Sequence, residues 1–269
     1  MVNGDLVIVR GGGDISTGSI QKLHRSGFNV LVLEIEKPTA IRRTVAFSEA
    51  VFKGEIEIEG IKGKLVKEKS EIFKCFEEGI IPIAIDEKGK LIEELKPKIL
   101  VDGILAKKNL GTKRDMAEIT VAIGPGFDAG KEVDVVVETM RGHKLGTLIF
   151  EGSAMANTGT PGAIAGITKE RVIYSDYSGE IENIKEIGDI VKKGEVIAKI
   201  SGNNVYASID GLLRGLISNG MKIDKGLKIA DIDPRLKEVE NYTTISDKAR
   251  SVGGGVLEAV LYMKNIRGI

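Results

Sequence analysis

Residues 178–200 (SGEIENIKEIGDIVKKGEVIAKI) align without a gap on residues 210–232 (DGLLRGLISNGMKIDKGLKIADI). Seven pairs are identical: Gly179/Gly211, Gly188/Gly220, Lys193/Lys225, Gly194/Gly226, Ile197/Ile229, Ala198/Ala230 and Ile200/Ile232. Ile181/Leu213, Ile184/Leu216 and Val191/Ile223 keep apolar character. Short β-prone segments punctuated by glycine and repeated once predict a single shared core that neither half can bury alone.

This repeat resembles the biotinyl/lipoyl barrel-sandwich module, and the expectation is a β-rich unit of that kind over 172–234. Carrier domains of that family bear their modified lysine in the hairpin between the halves. The corresponding segment, Ser201–Ser208, has no lysine. No covalent biotin or lipoate is therefore expected, and the module reads as a positioning element.

The N-terminal part has a different texture. Leu6–Val9 is a short apolar run that ends at Arg10-Gly11-Gly12-Gly13-Asp14. A helical pattern follows (Ile15, Ile20, Leu23), with Asp14 as expected N-cap and Gly27 just past its end, and then the apolar run NVLVLEI at 29–35. Strand, glycine turn, helix and strand make a βαβ unit. Helices near 70–78 and 91–95 alternate with strands at 80–85 and 99–105, which argues for an α/β class. The expected fold is a Rossmann-like parallel-sheet domain over 1–165. The barrel-sandwich module follows, and a C-terminal segment at 235–269 packs its helix (VLEAVLYM, 256–263) back on the first domain.

Composition narrows function by exclusion. Lys+Arg and Asp+Glu are both 39, and aromatics are 4% with no Trp, so nucleic acid is not an expected partner. No apolar run is long enough to span a bilayer, so no membrane role is expected. A single cysteine, Cys75, and two histidines, His24 and His143, leave no disulfide framework and no multi-thiolate or His-rich metal site to expect. A reducing cytoplasm is the simplest compartment.

Gly11-Gly12-Gly13 follows a strand and opens a helix, the setting of a dinucleotide fingerprint. Backbone amides and the positive end of the helix dipole there suit a phosphate, although the carboxylate of Asp14 competes for the same amides. Glu34, ending the second strand, with Glu36 beyond it, is placed for a ribose hydroxyl, and Arg42 and Arg43 can meet a 2′-phosphate. The alternative is a glycine turn that only lets helix and strand pack. Lys107, Lys108, Asn109 and Thr112 follow a strand end and offer cations and orienting polar groups, or a solvated charge run. Further glycine-rich loops at 123–130 and 152–162 include Asn157 and Thr158. Between them, Arg141 can clamp an anion, and His143 is the candidate general base, or an incidental surface histidine.

Together, VIVRGGGDISTG, LEIEKPTAIRRTVAFSEAV, LAKKNLGT, IGPGFDAGKEVDVVVETMRGHKLG, GSAMANTGTPG, DIDPR and SDKARSVGGGVLEAV resemble the YqeB family, accessory proteins of selenium-dependent molybdenum hydroxylase systems. The resemblance implies a cytoplasmic maturation factor with a client hydroxylase as partner. It brings no established reaction and no residue roles. The expected ligand is a small anion, NAD(P) or the pterin dinucleotide of the molybdenum cofactor. An NAD(P)-dependent oxidoreductase and a non-catalytic scaffold are the alternatives; the five tyrosines lack a Tyr-x-x-x-Lys spacing.

Overall fold

The computed structural model describes residues 4–156 and 166–269. The chain divides into two units, one formed by Met1–Pro38, Ala46–Asn157 and Ile245–Ile269, the other by Thr39–Val45 and Thr158–Thr244.

The first unit begins with β1 (Leu6–Arg10), α1 (Asp14–Arg25) and β2 (Asn29–Glu34). Then come α2 (Ala50–Lys53), β3 (Glu55–Ile58), β4 (Ile61–Val66), α3 (Lys69–Glu77), β5 (Ile81–Ile85), α4 (Lys90–Leu95) and β6 (Ile99–Asp102). β7 (Ile119–Ile123), β8 (Val135–Val137), β9 (Leu148–Ile149) and, from the far end of the chain, α5 (Asp247–Arg267) complete it. The nine strands form one sheet in the order β3-β4-β5-β2-β1-β6-β7-β8-β9. Both faces are covered, which is why β1, β2 and β6 read as unbroken apolar runs. Val7 and Val9 face a core shared with α1 and α5, while Ile8 faces the core of α3 and α4 with Leu31, Leu100, Ile72 and Ile92.

The expected Rossmann-like parallel-sheet domain followed by a barrel-sandwich module is not what the chain forms. The sheet is mixed: β3 runs antiparallel to β4, and β9 antiparallel to β8. The β3–β4 hairpin sits inside the connection from β2 to β5. The links β6–β7 and β7–β8 carry no α-helix, so the face over β7 and β8 is covered by α5 rather than by crossover helices. The hairpin was legible in EIEIEGIKGKLV, an alternating run across Glu59-Gly60, whose φ angles of 48° and 79° both lie in the left-handed region that a tight hairpin turn requires.

The second unit contains β10 (Val172–Tyr174), β11 (Gly179–Asn183), β12 (Ile190–Val191), β13 (Val196–Ile200), β14 (Asn203–Tyr206), β15 (Gly211–Leu216), β16 (Lys222–Ile223) and β17 (Lys228–Asp233). They make two separate four-stranded antiparallel sheets, β10-β17-β15-β12 and β14-β13-β11-β16. The first recruits β10 from outside the repeat, and the unit also takes in 39–45, so this is not the self-contained module expected from 172–234. The repeat shows directly in the pairing. β12 of the first half pairs with β15 of the second, and β16 of the second pairs with β11 of the first. Ile181, Val191, Ile197 and Ile200 share one core with Leu213, Ile223, Ile229 and Ile232.

α5 starts at Ser246, whose side chain accepts from Ala249 N, and carries Gly253, Gly254 and Gly255 in its interior. A Cβ on Gly253 would collide with Gly18 O of α1, and one on Gly18 would collide with Ala249 O. The two helices pack backbone to backbone there. Gly254 faces open space. Gly253→Ala should therefore destabilise the protein by about 1–3 kcal/mol through overpacking. Gly254→Ala should stabilise it by about 0.5–1 kcal/mol through reduced backbone entropy in the unfolded chain. Urea denaturation of the two variants checks this; equal effects would contradict the packing.

Candidate functional site

Sheet order reverses at β1, which lies between β2 and β6, and ligands of open α/β sheets bind outside the carboxyl ends of strands at such a point. Four buried runs end there in a single charged residue: Arg10 after β1's VIV, Glu34 after VLVL, Asp102 after ILV and Glu138 after VVV. All four are buried. Arg10, Asp102 and Glu138 are not anticipated by the motif reading, and the charged residue closing each apolar run is the signal that marks them.

Arg10 and Asp102 are register partners across β1 and β6. Thr112 joins them: its Oγ1 accepts from Arg10 Nη1 at 2.6 Å and donates to Asp102 Oδ2 at 2.5 Å, and the guanidinium stands 3.7 Å from the carboxylate. Burial pushes the Asp102 carboxyl up, against the downward pull of the Thr112 hydroxyl, the Arg10 charge and the Ile104 amide. Thr112 is thus a bridge inside the protein. Asn109 braces the same loop, its Oδ1 accepting from the amides of Gly111 and Thr112 and its Nδ2 donating to Glu132 Oε1 at 2.9 Å. Lys107 and Lys108 lie exposed on this loop, where Leu105 and Lys107 adopt left-handed φ angles of 57° and 63°.

The glycine turn has three distinct positions. Gly11 has φ +88°, its amide donates to Leu33 O at 2.8 Å, and a Cβ would press on Ile104. Gly12 donates to Glu34 Oε1 at 2.6 Å. Gly13, not Asp14, is the N-cap of α1, with φ −65° and no atom within 4 Å of where a Cβ would stand. Asp14 is the first helical residue. Glu34 also accepts from Ile35 N at 3.1 Å. Burial holds its carboxyl above the usual range, and the Gly12 and Ile35 amides oppose that. In the first turn of α1, the Ser16 hydroxyl is fully buried with no hydrogen-bond partner and abuts Gly103.

Arg42 and Arg43 belong to the second unit, where Arg42 Nη2 donates to Thr244 O and Arg43 Nε to Leu216 O. The turn past β2 ends that strand's direction, and the arginines follow the chain into the β-rich unit. Arg141 makes a two-pronged pair with Asp247 at the start of α5, at 2.8 and 3.2 Å, and His143 is exposed. Glu138 accepts from the amides of Thr139, Met140 and Met155, pinning the loop that leads to Ala156. Asn157 and Thr158 lie outside the described residues. Among the described residues no cluster of three or more His, Cys, Asp or Glu side chains could hold a metal, and no helix is long and apolar enough to cross a membrane.

Arg10→Met leaves the Asp102 carboxylate buried without its cation and should cost about 3–5 kcal/mol in denaturant unfolding; a loss below about 1 kcal/mol would show the pair to be solvated. Glu34 gives a pH signature. A carboxyl whose folded pKa is raised is costlier to ionise in the folded state, so its contribution to stability falls as pH rises from about 4.3 through the raised value. Thermal melts from pH 4 to 7 should show the wild type losing ground to Glu34→Gln as pH increases; parallel curves would rule this out.

No family model matches the chain. Among solved structures, a succinylglutamate desuccinylase from Silicibacter sp. TM1040 is similar with a TM-score of 0.25, at 12% identity over 85% of this chain and 84% of that one. The product-bound ectoine utilization protein EutE (DoeB) from Ruegeria pomeroyi gives 0.26, at 10% identity over 85% of each chain. By sequence, the chain is 49% identical over 258 residues to "Uncharacterized protein YqeB" of Escherichia coli (strain K12), covering 96% of this chain. It spans 48% of that relative's length, and this homology supports the YqeB-family resemblance carried by the motifs.

Proposed function

We propose that this chain is an accessory protein that binds a phosphate-bearing ligand at the N-terminus of α1, in service of a selenium-dependent molybdenum hydroxylase. What carries the ligand reading is Gly13. Gly11 needs glycine for its backbone angle and its contact with Ile104, and Gly12 for the close approach of Ser48 N and Val32. Gly13 needs it for neither, and a glycine there leaves the space beside the first turn of α1 free of a side chain, which suits an anion at the positive end of the helix. The exposed Lys107 and Lys108, on the loop after β6, add point charges that suit an anion. The hydroxylase context rests on the YqeB resemblance. Presentation of the ligand to a client enzyme in a reducing cytoplasm is the role that resemblance implies.

Ligand-dependent melting tests this. A ligand that binds only the folded state raises stability by about 2.7 kcal/mol at 100 times its Kd. At least one of NAD+, NADP+, ATP, CTP or molybdenum cofactor should raise the melting temperature of the wild type, and Gly13→Val, whose side chain enters open space, should stay folded with only the loss of about 1 kcal/mol that a poor N-cap brings, while losing the shift. If none of these compounds shifts the wild type, the nucleotide and cofactor reading falls; if Gly13→Val still responds, the site is elsewhere.

A further inference from the structure

Residues 39–49 (TAIRRTVAFSE) take the chain through the second unit and back to the first, and they contain no glycine. Their first part is tied into the second unit. Ile41 packs in the β-rich core, and its carbonyl accepts from Leu216 N at 2.8 Å. Arg43 Nε donates to Leu216 O at 2.7 Å, and Thr44 Oγ1 donates to Tyr242 O at 2.6 Å. Their last part is tied to the glycine turn of the first unit. Phe47 packs in the core that also receives α1 and α5, its amide donates to Thr17 Oγ1 at 3.2 Å, and Ser48 N donates to Gly12 O at 2.9 Å. Gly12 is thereby gripped twice, because its own amide donates to Glu34 Oε1 at 2.6 Å.

Little slack separates the two sets of bonds. Short 3-10 turns at Arg43–Val45 and Phe47–Glu49 stand on either side of Ala46, closed by Val45 N to Arg42 O at 3.2 Å and Glu49 N to Ala46 O at 3.0 Å. Val45, Ala46 and Phe47 are completely buried. A loose connection runs as exposed, irregular chain. This one cannot lengthen without opening its turns and drawing buried apolar side chains into water. We infer that residues 41–48 are a strap that makes the seating of the glycine turn depend on the second unit. An occupant of the β-rich unit that loosens Ile41–Thr44 also loosens Ser48 on Gly12 O. By linkage, an event that unseats the glycine turn weakens the pairing of Ile41 with Leu216 by the same free energy. The strap works through the protein's own bonds, with or without an anion at Gly13, and gives the turn a control that lies outside the site proposed above.

Amide hydrogen exchange of the full chain, followed residue by residue by NMR, tests this without any ligand. Ile41→Ala, which removes an anchor in the second unit, is expected to speed exchange of the Ser48 amide about tenfold, while the ladder amides of β1 keep the wild-type rate. Thr44→Val, which removes only a hydroxyl, is expected to act in the same direction and carries the test by itself if Ile41→Ala does not fold. Reciprocally, Thr17→Val in the first unit should speed exchange of the Leu216 amide and leave the ladder amides of β13 unchanged. A faster Leu216 amide in the Ile41 or Thr44 variant, with Ser48 still at its wild-type rate, would overturn the strap. Equal acceleration of Ser48 and the β1 ladder would overturn it too, because that pattern reports unfolding of the whole unit. A missing melting shift with nucleotides bears on the anion site alone.

Discussion

The close approach of α1 and α5 is the contact on which the first unit depends. Gly18, Ala249 and Gly253 bring two helix backbones together at a separation that side chains would forbid. α5 supplies the layer that crossover helices would otherwise provide, burying Val252, Val256, Ala259 and Val260 in the core that also receives Ile20 and Leu23 of α1. Glu59, at the tip of the β3–β4 hairpin, takes Gln21 Nε2 of α1 at 2.7 Å and Ile245 N before α5 at 2.9 Å. The helix whose first turn forms the candidate site is thus fixed by residues more than two hundred positions away in the chain.

The carboxyl edge of the sheet is organised by charge inside rather than charge outside. Arg10, Glu34, Asp102 and Glu138 each end a buried strand and each spend their polar atoms on the loops that leave it. Buried charges persist only when so satisfied, because an uncompensated one is costly. The result is a rim in which the amides of Gly11, Gly12, Ile35, Ile104, Thr139 and Met140 already have partners within the protein.

Much of the first unit was legible in the sequence because its strands are buried on both faces and its helices alternate with them. NVLVLEI and the glycine turn placed β1, α1 and β2 to within a residue or two. The fold class was not, because strand direction at the sheet edges and the use of α5 as a distant cover depend on packing that no local pattern encodes. The glycine turn does lie between β1 and α1, and Glu34 does end β2. The motif could not show that Glu34 turns inward to Gly12, nor that Arg42 and Arg43 leave with the chain for another unit. Asp102 was hidden because the apolar stretch after Ile99 continues through Ile104 and Leu105, whereas the strand stops at the aspartate.

The exchange of β12 and β16 between the halves of the repeat has a consequence for how this unit can vary. Each half closes its sheet with a two-residue strand borrowed from its twin, so neither has a complete hydrogen-bond ladder of its own. Drift in either copy is felt by the other, and the duplicated segments are bound to remain matched in length at those strands. What looks like tandem duplication along the chain is, in space, one interlocked object whose two parts cannot be inherited separately.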